Sequence, residues 1–264
     1  MNSVHASAKI RSSAPLAAVF AAALAALTAL PLAAQSGPSA DEIMDKVFNA
    51  PRSKGTIETL TMVVTKNGQS LTRSITNWSA GDHTKGEVEK TISKFTAPAD
   101  VKGSGFLTMK KPDGSTESLL WLPALGRVRR LGSGSSDQDM SFFGSDFTNR
   151  DINGFNQADF SYKILATEGA VYTVEATPNK SVGYEKLVYY IDSSIWRYVK
   201  IEYYRAGKIA KTQTDAYEKV GDYYMPTRIV MASATKSTTE LSFADYKLDQ
   251  DLGDQIFTER FLKQ

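Results

Sequence analysis

The sequence predicts a mostly β protein built around one large antiparallel sheet. From Thr56 onward, apolar and polar residues alternate along successive segments, as in half-buried strands. Turn dipeptides separate these segments, and 12 Tyr and 12 Phe stand among many Thr and Val, which favour pleated surfaces. About ten or eleven strands result, and the twist that accumulates over so many strands makes a sheet curl, close or split.

Residues 1–34 predict a secretory signal peptide. Lys9 and Arg11 precede an uncharged run rich in alanine and leucine, and small residues end that run at Ala34. We expect cleavage near Ala34, export to the periplasm, and a single β domain over residues 35–264. The alternative is a retained transmembrane anchor, because the run approaches the ~20 residues that span a bilayer.

One helix is predicted at the start of this domain. Ser39 and Glu42 form a capping box, four apolar residues then fall on one face, and Pro51 ends the helix. The apolar face consists of Ile43, Met44, Val47 and Phe48.

A meander of strands follows the helix. Alternation begins at Thr56, and the pair Asn67 and Gly68 predicts a tight hairpin turn before Leu71. Further strands are predicted at 87–95, 105–110, 118–122, 160–166, 171–176, 184–191, 196–205, 208–219, 223–232 and 237–248. Residues 255–263 predict a short terminal helix or docked tail.

Residues 131–156 interrupt the strand pattern. They are rich in Gly, Ser, Asp and Phe and show neither helical nor strand periodicity, and a loop of that length is usually functional or mobile. Phe142, Phe143 and Phe147 place three aromatic rings in this segment. We expect them either to plug the core or to act as a gating loop over a ligand site.

The composition excludes several function classes. The chain has no Cys, which rules out disulfides, thiolate metal sites and a Cys nucleophile. Removing Lys9 and Arg11 from 31 basic residues leaves 29, which balances the 29 acidic residues and gives no reason to expect nucleic acid as a partner. The sequence also lacks a phosphate-binding glycine loop, a Gly-x-Ser-x-Gly elbow and a His-Glu-x-x-His motif. We therefore expect no enzyme activity, no catalytic residue, no metal and no cofactor.

Two features could carry catalysis, and both have a simpler structural interpretation. His83, the one histidine after residue 34, lies in a polar turn. We expect it to be a solvated turn residue rather than a triad base or metal ligand. Four aspartates could supply an acid and a base for a hydrolase, but aspartate beside Gly, Ser and Asn is typical of turns and caps. These are Asp137, Asp139, Asp146 and Asp151.

Residues 119–130 join an apolar strand to a basic end. In the structural interpretation, this segment is a core strand whose terminal arginines extend to solvent. In the functional interpretation, the arginines contact lipid phosphate or an acidic partner while Trp121 lines a pocket. We favour the structural interpretation slightly, because a short basic strand end is common.

The order of these segments resembles the outer membrane lipoprotein-sorting proteins related to the periplasmic lipoprotein carrier LolA. The matching segments are 94–107, which contains the Ala97 and Pro98 pair, then 121–130, 142–147 and 257–262. The resemblance implies an unclosed, strongly curved antiparallel β-barrel with a few helices across its concave face. It also implies a chaperone that holds acyl chains and passes them to an outer-membrane acceptor or a membrane transporter, in this branch a companion of RND-type exporters.

The site predictions follow from this carrier hypothesis. The predicted cavity residues are Phe106, Leu107, Met109, Leu120, Trp121 and Leu122, of which strand alternation turns only half inward. The candidates for headgroup or partner contact are Arg73, Arg127, Arg129, Arg130 and Arg150. A bound chain would gain ~0.8 kcal/mol per buried methylene. The alternatives are an envelope sensor or scaffold whose cavity is packed shut, and a hydrolase that uses the aspartate cluster.

Overall fold

Thirteen antiparallel strands form one sheet in the computed structural model, which describes residues 37–132 and 134–264. The predicted signal peptide and its cleavage near Ala34 lie outside the described residues. In chain order the strands are β1 (Gly55–Lys66), β2 (Gln69–Ala80), β3 (Glu89–Ala97), β4 (Gly105–Lys110), β5 (Thr116–Leu122), β6 (Arg127–Leu131), β7 (Phe160–Glu168), β8 (Val171–Pro178), β9 (Lys186–Asp192), β10 (Arg197–Arg205), β11 (Lys208–Val220), β12 (Tyr223–Ser233) and β13 (Thr238–Lys247).

The sheet consists of two meanders joined edge to edge. Strands β1 to β6 pair in sequence, strands β7 to β13 pair in sequence, and β1 pairs with β13 between the two halves. Within the described residues β6 and β7 form the two free edges and do not pair with each other, so the curved sheet stays unclosed. The predicted fold class is confirmed.

The predicted number of about ten or eleven strands is too low. Strand β6 is the strand that no predicted segment covers, because its sequence places arginine at three of its five positions and only Val128 and Leu131 are apolar. Its side chains at Arg127, Arg129 and Arg130 are exposed. Backbone pairing with β5 therefore forms this strand without an alternating apolar pattern to reveal it.

Four helices accompany the sheet in the described residues: α1 (Ala40–Phe48), α2 (Ser135–Gln138), α3 (Asn149–Asn153) and α4 (Glu259–Leu262). The predicted capping box of α1 is confirmed, because the Ser39 amide donates to Glu42 Oε2 over 2.7 Å and the Glu42 amide donates to Ser39 Oγ over 3.2 Å. None of these helices is long and apolar enough to cross a bilayer.

The two faces of the sheet carry separate apolar clusters. The larger cluster joins Phe95 and Phe106 of the first half to Val174 and Leu187 of the second half, and helix α1 contributes Met44 to it. One cluster can contact both halves only from inside the curve, so this face is concave.

The smaller cluster lies on the convex face of β3 to β5. There Ile92, Leu107 and Leu119 pack against Phe257 and Leu262 of the C-terminal segment. This confirms the predicted docked tail. A Cβ atom added to Gly105 of β4 would lie 2.6 Å from Leu262 Cδ1, so glycine permits α4 to approach the sheet.

Candidate functional site

The concave interior of the first half is filled by an aromatic plug, residues 142–147. Phe142 and Phe147 are buried, and Phe143 packs on Phe95 with ring centroids 4.2 Å apart. Phe142 meets Phe106 edge to face at 5.3 Å. Edge-to-face and offset rings are favourable arrangements for aromatic pairs. The predicted gating residues therefore lie together inside the sheet, where they displace solvent.

Polar contacts hold the plug at both ends. The Arg73 guanidinium of β2 donates to the Phe143 carbonyl oxygen. At the other end, Ser237 and Thr239 hydroxyls donate to the Asp146 carboxylate, the latter over 2.8 Å. Such side-chain contacts fix the plug across the sheet without continuing any strand.

The backbone of Phe143 is strained. Its φ is 48°, in the left-handed region that bulky residues avoid. Conformations of this kind cost of order 1–3 kcal/mol and persist only where the surroundings enforce them. The Arg73 contact to the carbonyl of the same residue is one such restraint.

Residues from both halves of the sheet line an open cavity of about 950 Å³, which we call the tyrosine cavity. This volume lies at the upper end of ordinary ligand sites. Strands β9 to β11 supply a wall of phenol rings and one aliphatic side chain, and further lining comes from the end of α1, from residues 154–159 and from the adjoining ends of β2 to β4. The wall consists of Tyr189, Tyr198, Ile201, Tyr203 and Tyr217.

A hydrogen-bonded network runs along this wall. The Tyr203 hydroxyl donates to Gln213 Oε1 over 2.9 Å, and Gln213 Nε2 donates to Asp215 at 2.9 Å. The Tyr217 hydroxyl approaches the same carboxyl at 3.3 Å. Burial raises the pKa of Asp215 to about 6, while the donors from Gln213 and Tyr217 oppose the shift.

Cationic side chains form part of the cavity lining. Arg52, which follows α1, donates to Glu89 Oε1 over 2.6 Å and to the Phe48 carbonyl over 2.8 Å. Glu89 also lies 3.0 Å from His83 Nδ1. His83 is in the turn that the sequence predicts, but its ring is half-buried and lines the cavity rather than standing free in solvent.

Two further cations of this lining donate hydrogen bonds only to carbonyl groups among the described residues. Lys110 Nζ donates to the Phe155 carbonyl over 3.3 Å, and Arg197 Nη2 donates to the Pro51 carbonyl over 2.9 Å. Burial lowers the pKa of both side chains. We call Arg52, Lys110 and Arg197 the basic mouth.

The six predicted cavity residues lie elsewhere in the first half. Phe106 and Leu120 face the concave core beside the plug, whereas Leu107, Met109 and Trp121 face the convex cluster under the C-terminal segment. Leu122 is half-buried at the end of β5. None of the six belongs to the described lining of the tyrosine cavity.

The five predicted contact arginines divide between interior and surface. Arg73 is buried on the concave face, where burial lowers its pKa. Arg129 pairs with Asp137, Arg130 with Glu117, and Arg150 Nε with Asp139 at 3.2 Å, while Arg127 is exposed. The sequence-based candidates thus include one arginine that contacts the plug.

The four aspartates of the hydrolase alternative all make structural contacts. Asp137 and Asp139 form the ion pairs just described, and Asp146 accepts from Ser237 and Thr239. Asp151 caps α3, accepts from Tyr184 at 3.0 Å, and forms a buried ion pair with Lys211. The arrangement is that of turns, caps and tethers.

Sequence reasoning missed the tyrosine cavity and its basic mouth. One signal was available: Gln213, Asp215 and Tyr217 alternate along β11 and so share a face. No comparable signal joins Arg52, Lys110 and Arg197, because the three residues come from separate elements that only the curved sheet brings together.

Comparisons with known proteins agree with this architecture. The model of a family described as uncharacterized proteins matches residues 87–264. An outer membrane lipoprotein-sorting protein domain from Vibrio parahaemolyticus is 28% identical, with a TM-score of 0.78 over 85% of this chain and 98% of that one. No curated protein matches the chain.

Two other solved structures share the fold at lower identity. A DUF1329 family protein from Desulfovibrio piger is 22% identical, with a TM-score of 0.78 over 84% of this chain and 97% of that one. A LolA superfamily protein from Nitrosomonas europaea is 23% identical, with a TM-score of 0.65 over 85% of this chain and 100% of that one. The resemblance found in the sequence is confirmed.

Proposed function

Because the chain belongs to the family of uncharacterized proteins whose model matches residues 87–264, and shares its fold with outer membrane lipoprotein-sorting proteins, we propose that it is a periplasmic carrier of lipid or lipoprotein acyl chains. The observation that carries this proposal is the concave interior, of which one part is open and the adjoining part is filled only by side chains. Val47, Tyr189, Ile201 and Tyr203 line the open cavity and also belong to the apolar core.

In this proposal the tyrosine cavity binds the first segment of an acyl chain. Its wall combines apolar ring faces with the side chains of Val47 and Ile201. Each methylene that leaves water for such a surface gains ~0.8 kcal/mol, so a chain need not be enclosed over its full length to be retained.

The plug supplies the part that moves. Phe142 and Phe143 occupy apolar space inside the first half of the sheet, and their segment is held by side-chain contacts and contains one strained residue. Displacement of the plug would release this strain and expose apolar surface for a longer chain. A ligand shifts the equilibrium toward the open form only as far as it binds that form more tightly.

Transfer then requires a partner that favours the emptied carrier. We propose an outer-membrane acceptor or an RND-type transporter for this role, on the strength of the family resemblance. An envelope scaffold that binds a protein through its outer face is the other candidate, and the plugged first half favours it because that half is packed in the manner of a closed core.

Lipid content of the isolated protein tests the carrier proposal. The protein is purified from the periplasm without detergent, and its organic extract is analysed by mass spectrometry. Ala158 lines the tyrosine cavity and is exposed, so Ala158→Trp would place a large ring against the cavity without overpacking the core. Ala234, exposed in the turn between β12 and β13 and outside the cavity lining, provides the matched Ala234→Trp control.

A carrier is expected to retain lipid or acylated peptide near one molecule per protein in the unmodified chain and in Ala234→Trp, with at least a tenfold reduction in Ala158→Trp. Absence of lipid from all three proteins would favour the scaffold. Equal lipid in all three would place the ligand outside the tyrosine cavity.

A further inference from the structure

Two of the three cations of the basic mouth form no ion pair among the described residues. Around the cavity, Lys180 pairs with Asp159 at 2.9 Å and Lys90 pairs with Asp254 at 2.5 Å. Arg52 has Glu89 as its partner. In contrast, neither Lys110 nor Arg197 has a carboxylate within 4.0 Å among the described residues.

Arg52 lies close enough to Lys110 and to Arg197 to repel both. Burial is the main cause that lowers the pKa of Lys110, with Glu89 and Asp159 opposing it and Arg52 adding to it. The charge of Arg52 also adds to the lowering of the pKa of Arg197. An anion bound beside these cations would reduce the repulsion. It would also replace the favourable interactions with water that the cations lose on burial.

The lining of the cavity is complementary to an amphipathic ligand, because it combines cationic and apolar groups. Arg52, Lys110 and Arg197 line the cavity together with phenol rings and with aliphatic side chains such as Ile201 and Met225. A free inorganic anion would use only the first part, whereas a neutral lipid would use only the second. One ligand that uses both carries an anionic headgroup on an acyl chain.

Given the proposed carrier function, on which this step rests, we infer that the tyrosine cavity binds an anionic lipid whose phosphate is held by Arg52, Lys110 and Arg197. The three cations come from the segment after α1, the end of β4 and the start of β10, so they approach the ligand from separate elements. Phosphate presents oxygen atoms in several directions, which suits separate donors, and guanidinium groups pair with it bidentately.

Binding of short-chain lipids that differ only in the headgroup tests this inference. Dioctanoyl phosphatidic acid, dioctanoylglycerol and inorganic phosphate are titrated into the delipidated protein by calorimetry. The variant Lys110→Gln/Arg197→Gln removes two charges and retains polar side chains of similar length. Lys85→Gln is the control, because Lys85 is exposed, pairs with Asp82 at 3.1 Å and lies outside the cavity lining.

We expect the unmodified protein and Lys85→Gln to bind dioctanoyl phosphatidic acid at least tenfold more tightly than dioctanoylglycerol. The double variant should lose at least tenfold for the phosphatidic acid and less than twofold for dioctanoylglycerol. Thermal unfolding of each variant with bound dioctanoylglycerol checks that the cavity is intact.

Equal affinity for the two lipids would overturn the headgroup site and leave the carrier function standing. Failure of both lipids to bind would overturn both. Inorganic phosphate that binds as tightly as phosphatidic acid would assign the basic mouth to a free phosphate and would also overturn the inference.

Discussion

The two halves of the concave interior differ in packing: one is filled by side chains and the other retains a cavity. Around β3 and β4 the interior is filled by rings from the plug, and Phe142 is 5% exposed there. Around β9 to β11 the interior is lined by tyrosines, of which Tyr203 and Tyr217 bond to side chains through their hydroxyls, and a cavity remains. The difference indicates that the apolar space is filled by side chains, whereas the space that stays open carries polar groups compatible with water.

The largest effect is expected from removal of a plug ring. Phe142→Ala deletes contacts with Phe95, Phe106 and Phe143 and leaves an apolar void, which costs about 3–5 kcal/mol for a buried phenylalanine. Phe48→Ala at the half-buried edge of the tyrosine cavity should cost about 1–2 kcal/mol, because its ring is only partly removed from water. Urea unfolding measures both. Equal losses would mean that the two halves are packed alike.

Two buried carboxyl groups sharpen the comparison through pH. Glu58 of β1 has one donor, Asn77 Nδ2 at 3.2 Å, and burial raises its pKa to about 7. Asn77 Oδ1 is buried without a partner among the described residues, so a protonated Glu58 could donate to it. Asp215 in the second half has donors from Gln213 and Tyr217, and its pKa is raised only to about 6.

The sign of the pH effect follows from the raised pKa of Glu58. Between the ordinary value of 4.5 and about 7 the folded protein binds more protons than the unfolded chain, so stability falls as pH rises through this window. The full loss above the window is about 3 kcal/mol, at about 1.4 kcal/mol per pKa unit. Glu58→Gln imitates the protonated form and should remove this loss.

Urea unfolding at pH 5 and pH 8 measures the Glu58 prediction. The unmodified protein should lose more stability between these values than Glu58→Gln does. Asp215→Asn is the control from the second half: the Asp215 carboxyl is half ionised at about pH 6, so most of its stability loss falls below that pH and the remainder follows just above it. An unchanged pH dependence in Glu58→Gln would show that water or a further donor already stabilises the Glu58 carboxylate.

A smaller, local effect is expected where the plug is tied to the sheet. Arg73→Met removes the donor to the Phe143 carbonyl, and a hydrogen bond of this kind contributes about 1.4 kcal/mol, or tenfold in the opening equilibrium. Hydrogen exchange of the Phe142 amide, which donates to Phe147 over 2.8 Å, reports that opening. Arg130→Met on exposed β6 is the control and should leave the exchange unchanged. Unchanged exchange in Arg73→Met would show that other contacts hold the plug.

The sequence revealed the strands and the plug more readily than the open site. Alternation and hairpin turns identify strands because both signals are local, and three Phe in a Gly-bearing loop indicate a plug for the same reason. On β4, however, Phe106 and Leu107 are both buried, one on each face of the sheet, because the C-terminal segment covers the convex side. Alternation cannot then identify the concave face, which depends on how the whole sheet curves.

Trp121 provides the smallest expected effect on ligand binding and tests that distinction. Its ring lies on the convex face in the cluster with Leu107 and Phe257, and Lys263 Nζ lies 6.0 Å from its centroid. Trp121→Asp should therefore loosen the C-terminal segment, which increased hydrogen exchange in residues 254–262 would report. Lipid content per folded protein should stay within twofold of the unmodified chain. Loss of lipid from a folded Trp121→Asp protein would instead mean that the convex cluster, rather than the tyrosine cavity, holds the ligand.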